Sequence, residues 1–409
     1  MFQHILSKLV LVLCASVFLL SCNRELSKPK AGEWRATLET MEQKQLPFLF
    51  TFSENQVLTV LNAGEKVVFD DVTIVGDSII IAHPIYEGIF KGIFTPDSIT
   101  GTFINRSLNR AVPFKMKQGR KERFDVSAAP KAIVTGTWEA VFSPDTKADR
   151  YVAKGMFEQK GHKVTGTFRT TTGDYRYLDG SVENDTLRLS TFDGAHAFLF
   201  EAKVQGDTLM NGVFYSGNHF KEPFTARKNE QYELPKADSL TFLRDGYEKL
   251  EFTFPNTNGE EVSLDDKRFQ NKVVIVQIMG TWCPNCLDET RYFADYYKNN
   301  KNEQLEFVSL AFEHAPTKEK AMAAISRLKE KVGVQYPILL AQFGSSDKKK
   351  ASQKLPMLSG VLSYPTTIFI DKTGTVRKIH TGFNGPATGA KYDDFVKEFE
   401  GFVKMLLAE

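Results

Sequence analysis

The chain changes character near residue 235, and that break limits the folds open to it. Before it, short β-like runs alternate with turn pairs, as in Ser78-Ile79-Ile80-Ile81 after Gly76-Asp77 and Thr186-Leu187-Arg188-Leu189 after Asn184-Asp185. Gly, Asn and Asp supply the backbone freedom that tight turns demand. After the break, runs suited to buried strands alternate with helical periodicity, the pattern of an α/β sheet. A length of 409 residues accommodates two or three domains.

The β-like half repeats itself. Gly32-Glu33-Trp34-Arg35-Ala36 matches Gly136-Thr137-Trp138-Glu139-Ala140, an offset of 104. Asp97-Ser98-Ile99-Thr100-Gly101-Thr102-Phe103 matches Asp207-Thr208-Leu209-Met210 followed by Gly212-Val213-Phe214. Pro113-Phe114 matches Pro223-Phe224, by then at an offset of 110. Small loop insertions after a duplication leave such a drift. A period of about a hundred residues is domain-sized and far longer than a solenoid repeat. The expected units are 32–120 and 132–229, each an antiparallel barrel or sandwich of short strands. Residues 230–244, polar and carrying Pro235, read as a linker.

In 245–409 the elements alternate. Leu250–Phe254 and Glu261–Leu264 flank a turn, a leading hairpin. Val273–Met279 is apolar except for Gln277, as suits a strand buried on both faces. Apolar positions 286, 287, 293, 294 and 297 then follow at helical spacing. Phe307–Phe312, Pro337–Leu340, Thr367–Ile370 and Thr375–His380 are further strands. Thr317 can cap a helix whose inner face is Ala321, Ile325, Leu328 and Val332, ended by Gly333. Phe395, Phe399, Phe402 and Leu406 form the stripe of a closing helix.

Four cysteines occur: Cys14, Cys22, Cys283 and Cys286. Residues 1–21 read as a secretory signal, with His4 and Lys8 ahead of an apolar run, Leu9 to Leu20, too short to span a bilayer. Leu19-Leu20-Ser21-Cys22 resembles the lipobox of bacterial lipoproteins, which implies cleavage before a lipidated Cys22. Residues 22–31 then serve as a polar tether. The mature chain keeps one anchored cysteine and one pair, Trp282-Cys283-Pro284-Asn285-Cys286. The expected location is the cell envelope, lipid-anchored and facing the periplasm, in a compartment where stray thiols are a hazard. Neither membrane is singled out.

A CxxC between a buried strand and a helix has a specific consequence. Its first cysteine sits at the helix N-terminus, where unpaired N–H groups and the dipole stabilise a thiolate. The second lies one turn deeper. Cys283 is therefore the expected nucleophile toward a substrate disulfide, and Cys286 the thiol that resolves the mixed disulfide. Trp282 covers one side. Structural zinc would need four ligands, and neither a second CxxC nor paired histidines supplies them. A purely structural bridge closing two residues would barely restrict the unfolded chain.

These residues, with Tyr364-Pro365-Thr366 ahead of a later strand, resemble the thioredoxin superfamily. The resemblance spans about 245–409. It implies an α/β thioredoxin-like domain behind a duplicated all-β region, and a cis proline at Pro365 facing the cysteines. The helix from Thr317 resembles the segment inserted in the TlpA/ResA-like branch of membrane-anchored reductases. That branch carries a glutamate near the cysteines at a strand end, which Glu313 matches as a proton shuttle. His314 beside it is expected to be exposed. Gln277 stands where thioredoxins have a buried Asp, so a base must lie elsewhere. Pro284-Asn285 departs from the dipeptides usual in the family, which leaves the reduction potential open.

The resemblance implies protein disulfides as substrates and a membrane thiol as electron donor, with no cofactor. An oxidant or isomerase of the same fold is one alternative. A lipoprotein whose β region binds a ligand or partner, with a subsidiary redox domain, is another. Peroxidases of this fold place Thr or Ser three residues before the reactive cysteine and Pro seven before; Gly280 and Val276 stand there relative to Cys283. A net charge of +2 points to no nucleic acid. Lys348-Lys349-Lys350 reads as a solvated loop. His83, His196 and His219 lack metal-ligand spacing.

Overall fold

The computed structural model describes residues 28–235 and 240–409. The signal segment, Cys14, Cys22, most of the tether and the middle of the linker lie outside the described residues.

Nine strands between Gly32 and Gln118 form an antiparallel sheet whose spatial order, in chain numbering, is 4-3-2-1-9-8-7-6-5. The first strand, Gly32–Glu39, pairs with Gln45–Phe52 on one side and Arg110–Gln118 on the other. The sheet stays open between its fourth strand, Glu65–Phe69, and its fifth, Asp71–Val75. Only Asp70 separates these two, too short a connection for the hairpin that would let them pair. Eight strands between Gly136 and Lys228 do close into a barrel, with the last paired to the first. The choice of barrel or sandwich thus resolves into one open sheet and one closed barrel.

The matched tryptophans do the same work in both. Trp34 Nε1 donates to the Lys30 carbonyl at 2.9 Å, and Trp138 Nε1 donates to the Val134 carbonyl at 2.8 Å. Both indoles are buried. Phe192, Leu199 and Tyr215 of the barrel pack into the core of the open sheet, with Phe48 and Phe192 stacked at 4.5 Å. The two β units therefore share apolar surface that neither could leave in water.

In the C-terminal part the leading hairpin shortens to Thr253–Pro255 and Glu261–Ser263. A five-stranded sheet runs, in spatial order, Ile338–Gln342, Leu305–Phe312, Val273–Met279, Thr366–Ile370 and Val376–Thr381. The central strand, Val273–Met279, lies parallel to Leu305–Phe312 and antiparallel to Thr366–Ile370, and is buried at every position. Helices Pro284–Asn299, Lys318–Val332, Lys348–Lys354 and Ala390–Ala408 complete this thioredoxin-like unit. Thr317 caps the second through the Lys320 N–H, and Gly333 ends it at φ 77°. The closing helix buries Phe395, Phe399, Val403 and Leu406; helical rotation turns Val403, not Phe402, into the core. Lys348–Lys350 open a short helix capped by Asp347 and are not in a loop. No described helix is long and apolar enough to cross a membrane.

Candidate active site

Strand Val273–Met279 delivers the chain to Gly280-Thr281-Trp282, and Cys283 caps the helix that follows. Its φ and ψ are extended, so its side chain can fold back onto the first turn. Cys283 Sγ accepts the Cys286 N–H at 3.3 Å, and its thiol donates to the Tyr364 carbonyl at 3.5 Å. The Tyr364–Pro365 bond is cis. Both cysteines are free thiols; Cys283 is 7% exposed and Cys286 0%. Burial, then the neighbouring Cys283, push the Cys286 thiol well above its ordinary pKa. Pro284 takes the first helical position, where no N–H is missed.

Beneath the pair lies a carboxyl that the motifs did not announce. Glu289 is fully buried on the inward face of the helix. It accepts from Thr367 Oγ1 at 2.8 Å and from Gln277 Nε2 at 2.9 Å. Gln277 also reaches the Cys286 carbonyl at 3.5 Å, while its own oxygen accepts from Ser309 and Thr290. Burial pushes the Glu289 carboxyl up to about 8, against the two bonds that favour its charge. The amide of Gln277 thus holds a carboxyl in place, and the acid comes from the helix, not the strand.

Residues 245–395 match the redoxin family. The C-terminal region is a redoxin domain. Over this region the chain is similar to thioredoxin-like thiol–disulfide oxidoreductases. Over 140 residues it is 27% identical to the thiol-disulfide oxidoreductase ResA of Bacillus subtilis, covering 34% of this chain and 69% of that one. It is 28% identical over 140 residues to the thioredoxin-like protein YneN of the same organism, covering 34% and 73%. A solved thiol-disulfide oxidoreductase from Bacteroides fragilis is 20% identical, covers 36% of this chain and 99% of its own, and has a TM-score of 0.27.

The redoxin domain brings Cys283, Cys286, Trp282 and Pro365 together. Trp282 donates to the Phe312 carbonyl at 3.0 Å and meets the Tyr364 ring edge-on at 5.5 Å. Glu313, just past the strand Leu305–Phe312, points at the segment before the cysteines. It accepts the Thr281 N–H at 2.8 Å and the Thr281 hydroxyl at 2.7 Å. It lines a second cavity behind Trp282, while Cys283 opens into another cleft. Burial raises its carboxyl to about 7. His314 is half-buried against Trp282, contrary to the expected exposure, because its ring packs edge-on to the indole at 5.6 Å. His83 is buried, accepts the Ile85 and Tyr86 N–H groups through Nδ1, and is driven down to about 3 by burial.

The barrel reaches the site. Its loop Thr170–Arg176 lies against the redoxin domain, where Thr172 O accepts from Ser363 Oγ at 3.2 Å and Phe383 N at 3.4 Å. Asp174 accepts from Gly385 N at 2.6 Å, and Asn285 Nδ2 donates to the Asp174 carbonyl at 3.4 Å. The approach is close: a Cβ on Gly382, whose φ is 85°, would lie 2.3 Å from Thr172 O. Next along the chain, buried Arg176 pairs with Glu65 of the open sheet, Asp193 of the barrel and Asp288 of the cysteine helix.

Proposed function

We propose that this protein is a lipid-anchored enzyme of the cell envelope that reduces protein disulfides through Cys283 and Cys286. The observation that carries the reading is the helix-capping thiol of Cys283, bonded to the Cys286 N–H and the Tyr364 carbonyl, above a sealed Cys286. The Cys283 thiolate attacks one substrate sulfur. A Cys283–substrate bond forms as the substrate disulfide breaks, and the departing sulfur takes a proton from water. Cys286 then gives its proton to Glu289 and attacks the Cys283 sulfur. The second substrate sulfur leaves and is protonated, and two electrons have passed from the protein to the substrate. A thiol donor at the membrane restores the pair.

The raised pKa of Cys286 supports the reducing direction, because a couple becomes oxidising when its thiolate form is stabilised. The organisation we propose is the duplicated unit 32–120 and 132–229 carried ahead of 245–409, supported by the matching tryptophan contacts. Turnover is read as accelerated reduction of insulin disulfides by dithiothreitol with the full chain; no acceleration would remove the assignment. The anchor at Cys22 predicts that wild type sediments with membranes and Cys22→Ser does not. Equal sedimentation would contradict it.

Glu289 gives the pH dependence its sign. As a base it must be ionised, so resolution of the mixed disulfide quickens as pH rises through about 8. Glu289→Gln should flatten that rise and slow resolution at pH 8 by about 10- to 100-fold. Stability moves the other way. The folded protein favours the protonated carboxyl, so Glu289's contribution is intact below about 4.5 and is lost as pH climbs through about 8. The glutamine variant should therefore gain stability over wild type by a margin that grows between those values. Urea midpoints with a constant margin would return Glu289 to ordinary titration.

A further inference from the structure

Cys283 opens at the floor of a cleft of about 720 Å³, and most of the cleft wall belongs to the barrel. One face is aromatic: Tyr151, Tyr175 and Phe198 line it, with Tyr151 held by Glu222 Oε1 at 2.6 Å and Tyr175 against Phe198 at 5.6 Å. The opposite face is Trp282, Asn285 and the Ser363–Tyr364 segment of the redoxin domain. Arg150 from the barrel and Lys348 from the short helix stand exposed at the rim. Neither forms a side-chain hydrogen bond or ion pair among the described residues. Asp174 is the single carboxylate in the lining, and it is buried with both oxygens engaged, Oδ1 by Arg176 N and Oδ2 by Gly385 N. Asp347, next to Lys348, spends Oδ1 on the Lys350 N–H. The rim thus carries two cations with no direct ion-pair partner among the described residues, over an aromatic slot with a nucleophile at its base.

We propose that this shared cleft is the substrate site and that it selects disulfides carried on acidic peptide segments, with Arg150 and Lys348 reading the charge. The proposal rests on the thiol–disulfide exchange assigned above and adds the substrate class and a task for the barrel. Aromatic walls hold the apolar parts of an extended chain, and two free cations raise the local concentration of carboxylates around Cys283. A positive rim also turns away basic segments, since like charges at a cleft cost association rate and affinity. The covalent step is unchanged: the Cys283 thiolate bonds one substrate sulfur as the substrate disulfide breaks.

The test uses the full chain and two peptide homodimers, each joined by one disulfide and identical except for Glu or Lys beside the cysteine. Each catalysed rate is divided by the rate with dithiothreitol alone, which removes the intrinsic effect of charge on thiol exchange. The expected result is a preference for the Glu peptide of about tenfold in kcat/KM at low salt, shrinking as salt is added. The double variant Arg150→Glu, Lys348→Glu, altered only at exposed positions, should prefer the Lys peptide. Turnover of both peptides without preference, or a preference the double variant keeps, overturns the charge selection while leaving the exchange activity standing. If neither peptide is turned over and Cys286→Ser captures neither as a mixed disulfide, the exchange reading falls as well.

Discussion

Cys283→Ser should lower thiol exchange by at least about 1,000-fold, because a serine hydroxyl at this position is not ionised and cannot attack sulfur. The loss should be one of chemistry, not folding. Serine fits where the thiol sits, can still accept the Cys286 N–H as a helix cap, and can still donate to the Tyr364 carbonyl. Cys286→Ser should behave differently. Its nucleophile remains, so the first half-reaction proceeds and the protein accumulates as a mixed disulfide with its substrate. Mass spectrometry of the intact protein distinguishes the two: bound substrate on the Cys286 variant and none on the Cys283 variant. Residual activity above a few per cent in Cys283→Ser, or a Cys286 variant that captures nothing, would reverse the assigned roles.

Arg176→Met should lower stability by about 3–5 kcal/mol, the scale for breaking a buried charge cluster by removing one partner. Three carboxylates, Glu65, Asp193 and Asp288, would lose their shared cation, leaving only His196 beside Asp193 and Arg291 beside Asp288. Burial works against the charge of Arg176, yet the carboxylates of Asp288, Glu65 and Asp193 outweigh it and raise its pKa. Asp288 sits two residues past Cys286, so the cluster ties the cysteine helix to both β units. Asp288→Asn in the Arg176→Met background should cost less than the sum of the two single changes, since it removes one of the stranded charges. Urea unfolding of the four proteins measures the coupling. Additive effects, or a loss under about 1 kcal/mol for Arg176→Met, would mean the cluster is not coupled in this way.

The parts of the fold set by local pattern were legible in the sequence. The apolar run Val273–Met279, the Thr317 cap and the Gly333 stop depend on neighbours a few residues away, and each has its expected conformation. The open edge of the first sheet was harder to read, because it turns on a single residue, Asp70, between two strands. Glu289 carried a signal that apolar spacing alone does not use. Positions 286, 290 and 293 share a helical face, and an acid at 289 falls beside them in the buried stripe. A charged residue there is expensive unless it is bonded or neutral, which marks it as chemically interesting. Glu313 is buried, but its bonds run to Thr281 and it lines a cavity other than the cleft at Cys283. Nothing local could reveal the partners of Arg176, which lie more than 100 residues away at Glu65 and Asp288. The same is true of the loop Thr170–Arg176, whose contacts with Ser363, Phe383 and Gly385 exist only once the barrel and the redoxin domain have packed.

The measurement that bears most directly on the central claim is the equilibrium potential of the Cys283–Cys286 couple in the full chain, titrated against glutathione. A protein that reduces disulfides through a buried, high-pKa Cys286 should have a potential near that of thioredoxin, on the order of −270 mV. A value near −120 mV would belong to an oxidant that installs disulfides and would contradict the assigned direction.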